Sequence, residues 1–252
     1  MLKVENMTLR FGDLIANDNI CMEVPNNKVI ALIGPNGAGK TTCFNCISGV
    51  YTPNNGDIIL DGVSIKGKKP YQIHGMGISR TYQIINLFTE MSVIENVIVG
   101  MHDSMKSNFF ESMFHTKRHR KEEKEAYERA IELLEFIGLK DKANNAAGSL
   151  PYGEQRLLEI IRALASNPSI LLLDEPAAGM NSKEKEELDN IIQRIMKRWD
   201  LSVLMVEHDM DLVMNISEYI YVLNYGKLLA QGTPEEIQRN PDVIEAYLGG
   251  DD

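Results

Sequence analysis

The sequence predicts an α/β protein: a parallel sheet with crossover helices, interrupted by a helical subdomain near 84–165. Three observations carry this reading. The first 65 residues are rich in short β-like runs cut by turns. From about 91 to 148 the texture becomes helical, with apolar residues three or four apart among many charges. From Gly153 onward helices alternate with apolar strands, the pattern of a parallel sheet with crossover helices.

In chain order, Leu2–Leu9, Ile20–Val24, Val29–Ile33 and Asp57–Leu60 read as strands. The turns between them fall at Pro25-Asn26-Asn27, Pro53-Asn54-Asn55-Gly56 and Asp61-Gly62. Cys43 to Val50 reads as a helix. Ser92 is a capping residue ahead of Val93-Ile94-Glu95-Asn96-Val97-Ile98. Glu122 to Ile137 carries Ala126, Ala130, Leu133, Leu134 and Ile137 at helical spacing. Leu157 to Ala165 reads as a helix, and Ser169–Leu173, Val203–Val206 and Tyr219–Leu223 as buried strands. Residues from about 233 to 252 form a helical tail. No internal repeat or low-complexity tract interrupts the 252 residues, which read as one domain.

Composition narrows the function. With 44% hydrophobic residues the chain can bury a large core. A net charge of −10 and a pI near 5.1 argue against nucleic acid as a partner. No apolar run approaches the roughly 18 residues that cross a membrane, and no signal peptide is visible. The expectation is a soluble, intracellular protein unless another chain holds it at a membrane. Cys43 and Cys46 have C-x-x-C spacing but neither a second pair nor a thioredoxin-like context, so packing against the sheet is the reading taken.

The chemistry begins at Gly34-Pro35-Asn36-Gly37-Ala38-Gly39-Lys40-Thr41-Thr42, between an apolar strand and a helix start. This is the context of a phosphate-binding P-loop. The glycines let successive backbone N–H groups converge on one anion, and the following helix adds its positive end. Lys40 brings a charge to the β- and γ-phosphates, and Thr41 offers a hydroxyl to Mg²⁺. Ile170 to Leu173 then runs into Asp174-Glu175-Pro176. A strand ending in Asp puts that carboxylate at the sheet's edge beside the phosphates, where it can hold Mg²⁺ through water. Glu175 points elsewhere because strand side chains alternate, and is placed to act as general base on water.

Ser149-Leu150-Pro151-Tyr152-Gly153-Glu154-Gln155-Arg156 precedes a helix, and here the chain resembles the ATP-binding-cassette ATPases. The resemblance implies a P-loop NTPase fold of the cassette type, an α/β core with an antiparallel β subdomain and an inserted helical subdomain, with ATP and Mg²⁺ as cofactors. The family's Leu-Ser-Gly-Gly-Gln segment covers the γ-phosphate held by a partner subunit. Leu150 and Gly153 match it, Gly153 acting in trans, while Pro151 replaces the serine. By the same resemblance Phe11 lies against adenine (the alternative is a strand-edge core residue). Gln83 reaches Mg²⁺ and the attacking water, and His208 senses the γ-phosphate. Ala177-Ala178-Gly179-Met180-Asn181 crosses the dimer interface, with Asn181 where Asp is commoner.

Longer phrases narrow the resemblance. Asn86 to Asn96, Leu172 to Asn181, Glu207-His208-Asp209-Met210 and Gly232 to Gly249 are similar to the longer ATPase subunit of branched-chain amino acid importers. This implies integral membrane permease subunits, a second ATPase subunit, and indirectly an extracytoplasmic solute-binding protein. It implies a peripheral position on the cytoplasmic side of the cell membrane. Leu87, Phe88, Met91 and Val93 would form the groove for a short permease helix. Urea or amide importers and a lipopolysaccharide export ATPase share several phrases. A cassette ATPase of DNA repair or translation, or a P-loop kinase, are the readings from other classes. His115 to Lys121 is locally basic and reads as a solvated segment, or as a contact for anionic lipid.

Overall fold

The structure, a computed structural model, describes residues 1–102 and 117–248. Two sheets organise it. β1 (Leu2–Phe11), β2 (Leu14–Val24), β4 (Asn55–Leu60) and β5 (Val63–Ser64) form an antiparallel sheet in the order β2-β1-β4-β5. β3 (Val29–Ile33), β6 (Ile78–Arg80), β7 (Ile170–Asp174), β8 (Ser202–Val206), β9 (Tyr219–Asn224) and β10 (Lys227–Gly232) form the second sheet, ordered β10-β9-β3-β8-β7-β6. All neighbours in it are parallel except β10, which pairs antiparallel with β9.

The three central strands, β3, β7 and β8, are buried along their whole length because both faces are covered, and only Asp174 and Ser202 at their ends are polar. Alternate side chains enter two different cores. Ala31, Ile33, Leu171, Leu173, Val203 and Met205 join the helical side. Ile30, Leu32, Leu172, Leu204 and Val206 join the side facing the antiparallel sheet. Cys43 and Cys46 lie in that second core, on the helix Lys40–Ile47, and Cys43 Sγ meets Met22 Sδ at 3.9 Å. Burial pushes the Cys46 thiol up to about 12 and Cys43 higher still, so neither offers a thiolate.

Between residues 84 and 165 every described element is helical: Val93–Val99, Lys117–Phe136, Tyr152–Ala165 and two short 3-10 turns. Ser92 caps the first through a reciprocal pair with Glu95. The second begins at Lys117, five residues before the apolar spacing becomes visible, since the added residues are all basic or polar. His115 and Thr116 lie outside the described residues. Val93 is 0% exposed and belongs to the helical core, so it cannot line a docking groove as the sequence suggested. Its neighbour Phe88 is 50% exposed and can.

Register decides where the functional loops meet. Leu32 and Asp174 both pair with Val206, so β3, β7 and β8 end at one level. The segments that follow them, from Gly34, from Glu175 and from Glu207, therefore emerge side by side at the carboxyl edge of the sheet. Ligands bind parallel α/β sheets at that edge.

Candidate functional site

The loop after β3 curls as its glycines allow. Gly34, Gly37 and Gly39 all have positive φ. At Gly34 a Cβ would lie 2.1 Å from the Leu223 carbonyl oxygen, so no other residue fits there. Lys40 opens the helix Lys40–Ile47, and its side chain folds back over the loop. Nζ donates to the carbonyls of Gly34 at 2.7 Å and Pro35 at 2.9 Å. Burial lowers the Lys40 ammonium from its usual range, while Glu175 and Asp174 pull it back up. Thr41 is exposed and Thr42 half-buried beside it. Pro35, Asn36, Gly37 and Ala38 wall a cavity of 740 Å³ completed by His208 and Tyr247.

Asp174 ends β7 with its side chain buried. One oxygen, Oδ2, accepts from Arg80 at 2.6 Å, an ion pair that the sequence did not reveal. Arg80 also donates to Asn45 Oδ1 and Ser48 Oγ, and its guanidinium lies over the Phe44 and Tyr82 rings. The other oxygen, Oδ1, is buried without a hydrogen-bond partner. A partnerless carboxylate oxygen at the end of the strand beside a P-loop suits a divalent cation or its water.

Glu175 is the one residue of this strand end with φ in the left-handed region, at 47°. That conformation costs a non-glycine residue on the order of 1–3 kcal/mol. Here it turns the carboxylate between two partners from other loops. Gln83 Nε2 donates to Glu175 Oε2 at 2.9 Å, and His208 Nε2 lies 3.0 Å from Oε1. An ionised carboxylate only accepts, so this contact places the proton on His208 Nε2. Residues 83, 175 and 208, remote in sequence, thus form one cluster beside the Gly34–Thr42 loop. Such a cluster can orient a water and take its proton.

Behind the cluster lies a group the sequence reading missed. Arg156, fully buried on the helix Tyr152–Ala165, donates to the carbonyls of Tyr82 at 2.7 Å and Gln83 at 2.8 Å. It also reaches the Glu175 carbonyl at 3.3 Å and pairs with buried Glu159 at 2.8 Å. One guanidinium therefore fixes the backbones of both Gln83 and Glu175. Its only sequence trace is an arginine and a glutamate three apart at the start of an expected helix.

Other expected residues occupy different surroundings. Phe11 is 45% exposed and meets the Tyr51 ring edge-on at 5.2 Å, which makes it no core residue. It does not line the cavity over the P-loop. Gly153 is buried, and a Cβ there would come within 2.6 Å of Glu184 Oε1. Pro151 precedes the helix as its N-cap, and Glu154 pairs with Lys142 at 2.6 Å. Asn181 caps the helix Ser182–Arg198 through Lys183 and Glu184 N–H groups, a task asparagine performs as well as aspartate. A groove of 380 Å³ opens beside residues 79–102, with Phe88, Val99, His74, Glu159 and Arg162 on its walls. The Arg162 guanidinium lies 5.8 Å from the Phe88 ring centre, and burial lowers it from its usual range.

Comparison with known proteins gives a consistent result. The family described as ABC transporter matches residues 17–178, and the family described as branched-chain amino acid ATP-binding cassette transporter matches residues 227–252. The high-affinity branched-chain amino acid transport ATP-binding protein LivG of Salmonella typhimurium is 49% identical over 99% of this chain and 98% of its own. BraF of Pseudomonas aeruginosa, similarly described, is 47% identical with the same coverage. Among solved structures, a nucleotide-free ATP-binding cassette from an ABC transporter is 33% identical with TM-score 0.85, covering 98% of both chains. The ADP conformation of an ABC transporter cassette is 32% identical with TM-score 0.86, covering 99% of this chain and 98% of that one.

Proposed function

This chain belongs to the ABC transporter family of ATP-binding cassettes, and from that premise we propose how its site hydrolyses ATP and what the hydrolysis powers. The observation that carries the proposal is the convergence of Gln83, Glu175 and His208 beside the Gly34–Thr42 loop. Backbone N–H groups from Gly34 to Thr42, Pro35 apart, cradle the phosphates of ATP. Lys40 exchanges the Gly34 and Pro35 carbonyls for phosphate oxygens. Phe11 offers its exposed ring to the adenine. Magnesium, when bound, neutralises charge on the β- and γ-phosphates; Thr41, Gln83 and Asp174 are the residues that would hold it. Glu175 accepts the proton of the attacking water, and Gln83 and His208 hold that carboxylate in place. With ATP bound, the His208 Nε2–H turns from Glu175 toward the γ-phosphate as charge moves onto it. Gly153 and its helix serve the ATP of a second cassette, so two ATPase subunits meet head to tail with nucleotide between them.

The hydrolysis drives import of branched-chain amino acids. Support comes from the full-length similarity to LivG and BraF and from the family match at 227–252. No helix among the described residues is long and apolar enough to cross a membrane. The solute path therefore belongs to integral permease subunits, which hold this chain at the cytoplasmic face; an extracytoplasmic binding protein delivers the solute. Residues 84–165 act as the helical subdomain, and residues 233–252 as a C-terminal tail. The groove at Phe88 receives a short permease helix. Phe88→Ala is expected to lower solute uptake at least about fivefold while basal ATPase stays within about twofold. Unchanged uptake would remove Phe88 from the docking surface.

A further inference from the structure

The loop after β7 and the loop after β8 are joined through one buried carboxylate. Glu207 is 3% exposed. Its Oε1 accepts the Ala177 N–H at 2.7 Å, and its Oε2 accepts those of His208 at 2.7 Å and Asp209 at 3.1 Å. Nearer the surface the helix Ser182–Arg198, which follows the first loop, is tied to the second, where Lys185 Nζ donates to Asp209 Oδ2 at 2.5 Å. On the far side of the 177–181 loop, Gly179 backs onto the Tyr152 ring; a Cβ there would lie 3.1 Å from Cε1. Tyr152 is the half-exposed first residue of the helix that also carries Gly153. Contacts thus run unbroken from Tyr152 through Gly179, Ala177 and Glu207 to His208 and Glu175.

We propose that Glu207 is a positioning residue for hydrolysis, which makes the 177–181 loop and the His208 loop one mechanical unit. A displacement of Tyr152 or Gly179 by a second cassette then reaches the imidazole that touches Glu175. The proposal rests on the roles of Glu175 and His208 given above. A carboxylate is required because three N–H donors converge on both of its oxygens. A glutamine would set its own NH₂ against one or two of them and lose those bonds. Intermediacy in space is not coupling, so the proposal needs a coupling measurement.

The experiment measures ATP turnover, its Hill coefficient and ATP affinity in the assembled transporter carrying Glu207→Gln, Lys185→Met or His208→Ala. Glu207→Gln should lower kcat about 10- to 100-fold, as loss of a supporting residue does, and bring the Hill coefficient toward one. ATP affinity should stay within about threefold, because nothing that holds the phosphates has changed. Lys185→Met, at a half-exposed pair, should lower kcat in the same direction by about twofold to fivefold. His208→Ala should abolish turnover. Wild-type kcat and Hill coefficient in Glu207→Gln, with His208→Ala inactive, would overturn the positioning role alone. Normal turnover in His208→Ala would overturn the reading beneath it. Thermal melting reports whether Glu207→Gln is folded; if it is not, unchanged kcat in Lys185→Met overturns the proposal.

Discussion

Glu175→Gln is expected to leave ATP binding intact and to reduce hydrolysis by about 10²- to 10⁴-fold, the range lost with a general base. The side chains are nearly isosteric, and the Gly34–Thr42 loop and Lys40 are untouched, so affinity for ATP should hold within about threefold. What disappears is the carboxylate that takes the proton of water. Of the two neighbouring donors, Gln83 Nε2 on one carboxylate oxygen and His208 Nε2 on the other, one keeps the amide oxygen and the other faces the new NH₂. An enzyme that binds but does not cleave ATP should accumulate in its nucleotide-bound dimer. Light scattering with Mg-ATP should therefore show a doubled mass in this variant, with the cognate second subunit present if the native pair is a heterodimer. Near-normal turnover would remove Glu175 from the role of base.

Arg156→Met is expected to be the most damaging substitution away from the nucleotide. It leaves Glu159 buried without its partner and strips a donor from the carbonyls of Tyr82, Gln83 and Glu175. Breaking a buried ion pair by removing one member costs about 3–5 kcal/mol, which corresponds to a fall in Tm of roughly 10 °C for a chain of this size. ATPase activity should fall as well, because the backbones of Gln83 and Glu175 lose their common anchor. Replacing both partners, Arg156→Met with Glu159→Leu, should recover most of the stability, since no charge remains stranded. It should not recover the activity, since the carbonyl anchors are still missing. A single variant melting within about 2 °C of the wild type would show that the pair is not structural, and a fully active double variant would show that it does not position the site.

The parts of the site that were legible in the sequence are those whose geometry is local. A strand, three glycines and a lysine specify a phosphate loop because the turn itself needs those residue types. Asp174 and Glu175 were readable because an apolar strand must end at the sheet's edge. Phe11 and Gly153 came only from the family resemblance, and their surroundings could not be read: one faces Tyr51, the other Glu184. What could not be read at all is what distant segments bring. Arg80 reaches Asp174 across 94 residues, Arg156 reaches Tyr82 and Gln83 across more than 70, and Glu207 reaches Ala177 across 30. None of these side chains carries a local pattern that sets it apart from a surface charge. Val93 failed for a related reason, since an apolar residue after a capping serine suits a groove and a core equally. In the fold, the short strand β6 and the antiparallel edge strand β10 were missed. Three residues, Ile78-Ser79-Arg80, and a half-buried run ending in Gln-Gly give no clear alternation.

The central claim is that hydrolysis at Glu175 powers the import of branched-chain amino acids. The direct measurement is uptake of labelled leucine, isoleucine and valine by cells from which this chain has been deleted, complemented with the wild type or with Glu175→Gln. Deletion should abolish high-affinity uptake of all three, the wild type should restore it, and Glu175→Gln should not, while unrelated solutes enter normally. Restoration by Glu175→Gln would contradict the mechanism. Loss of urea or amide uptake with the three amino acids unaffected would contradict the substrate, and an outer-membrane lipid defect without any uptake defect would contradict import itself.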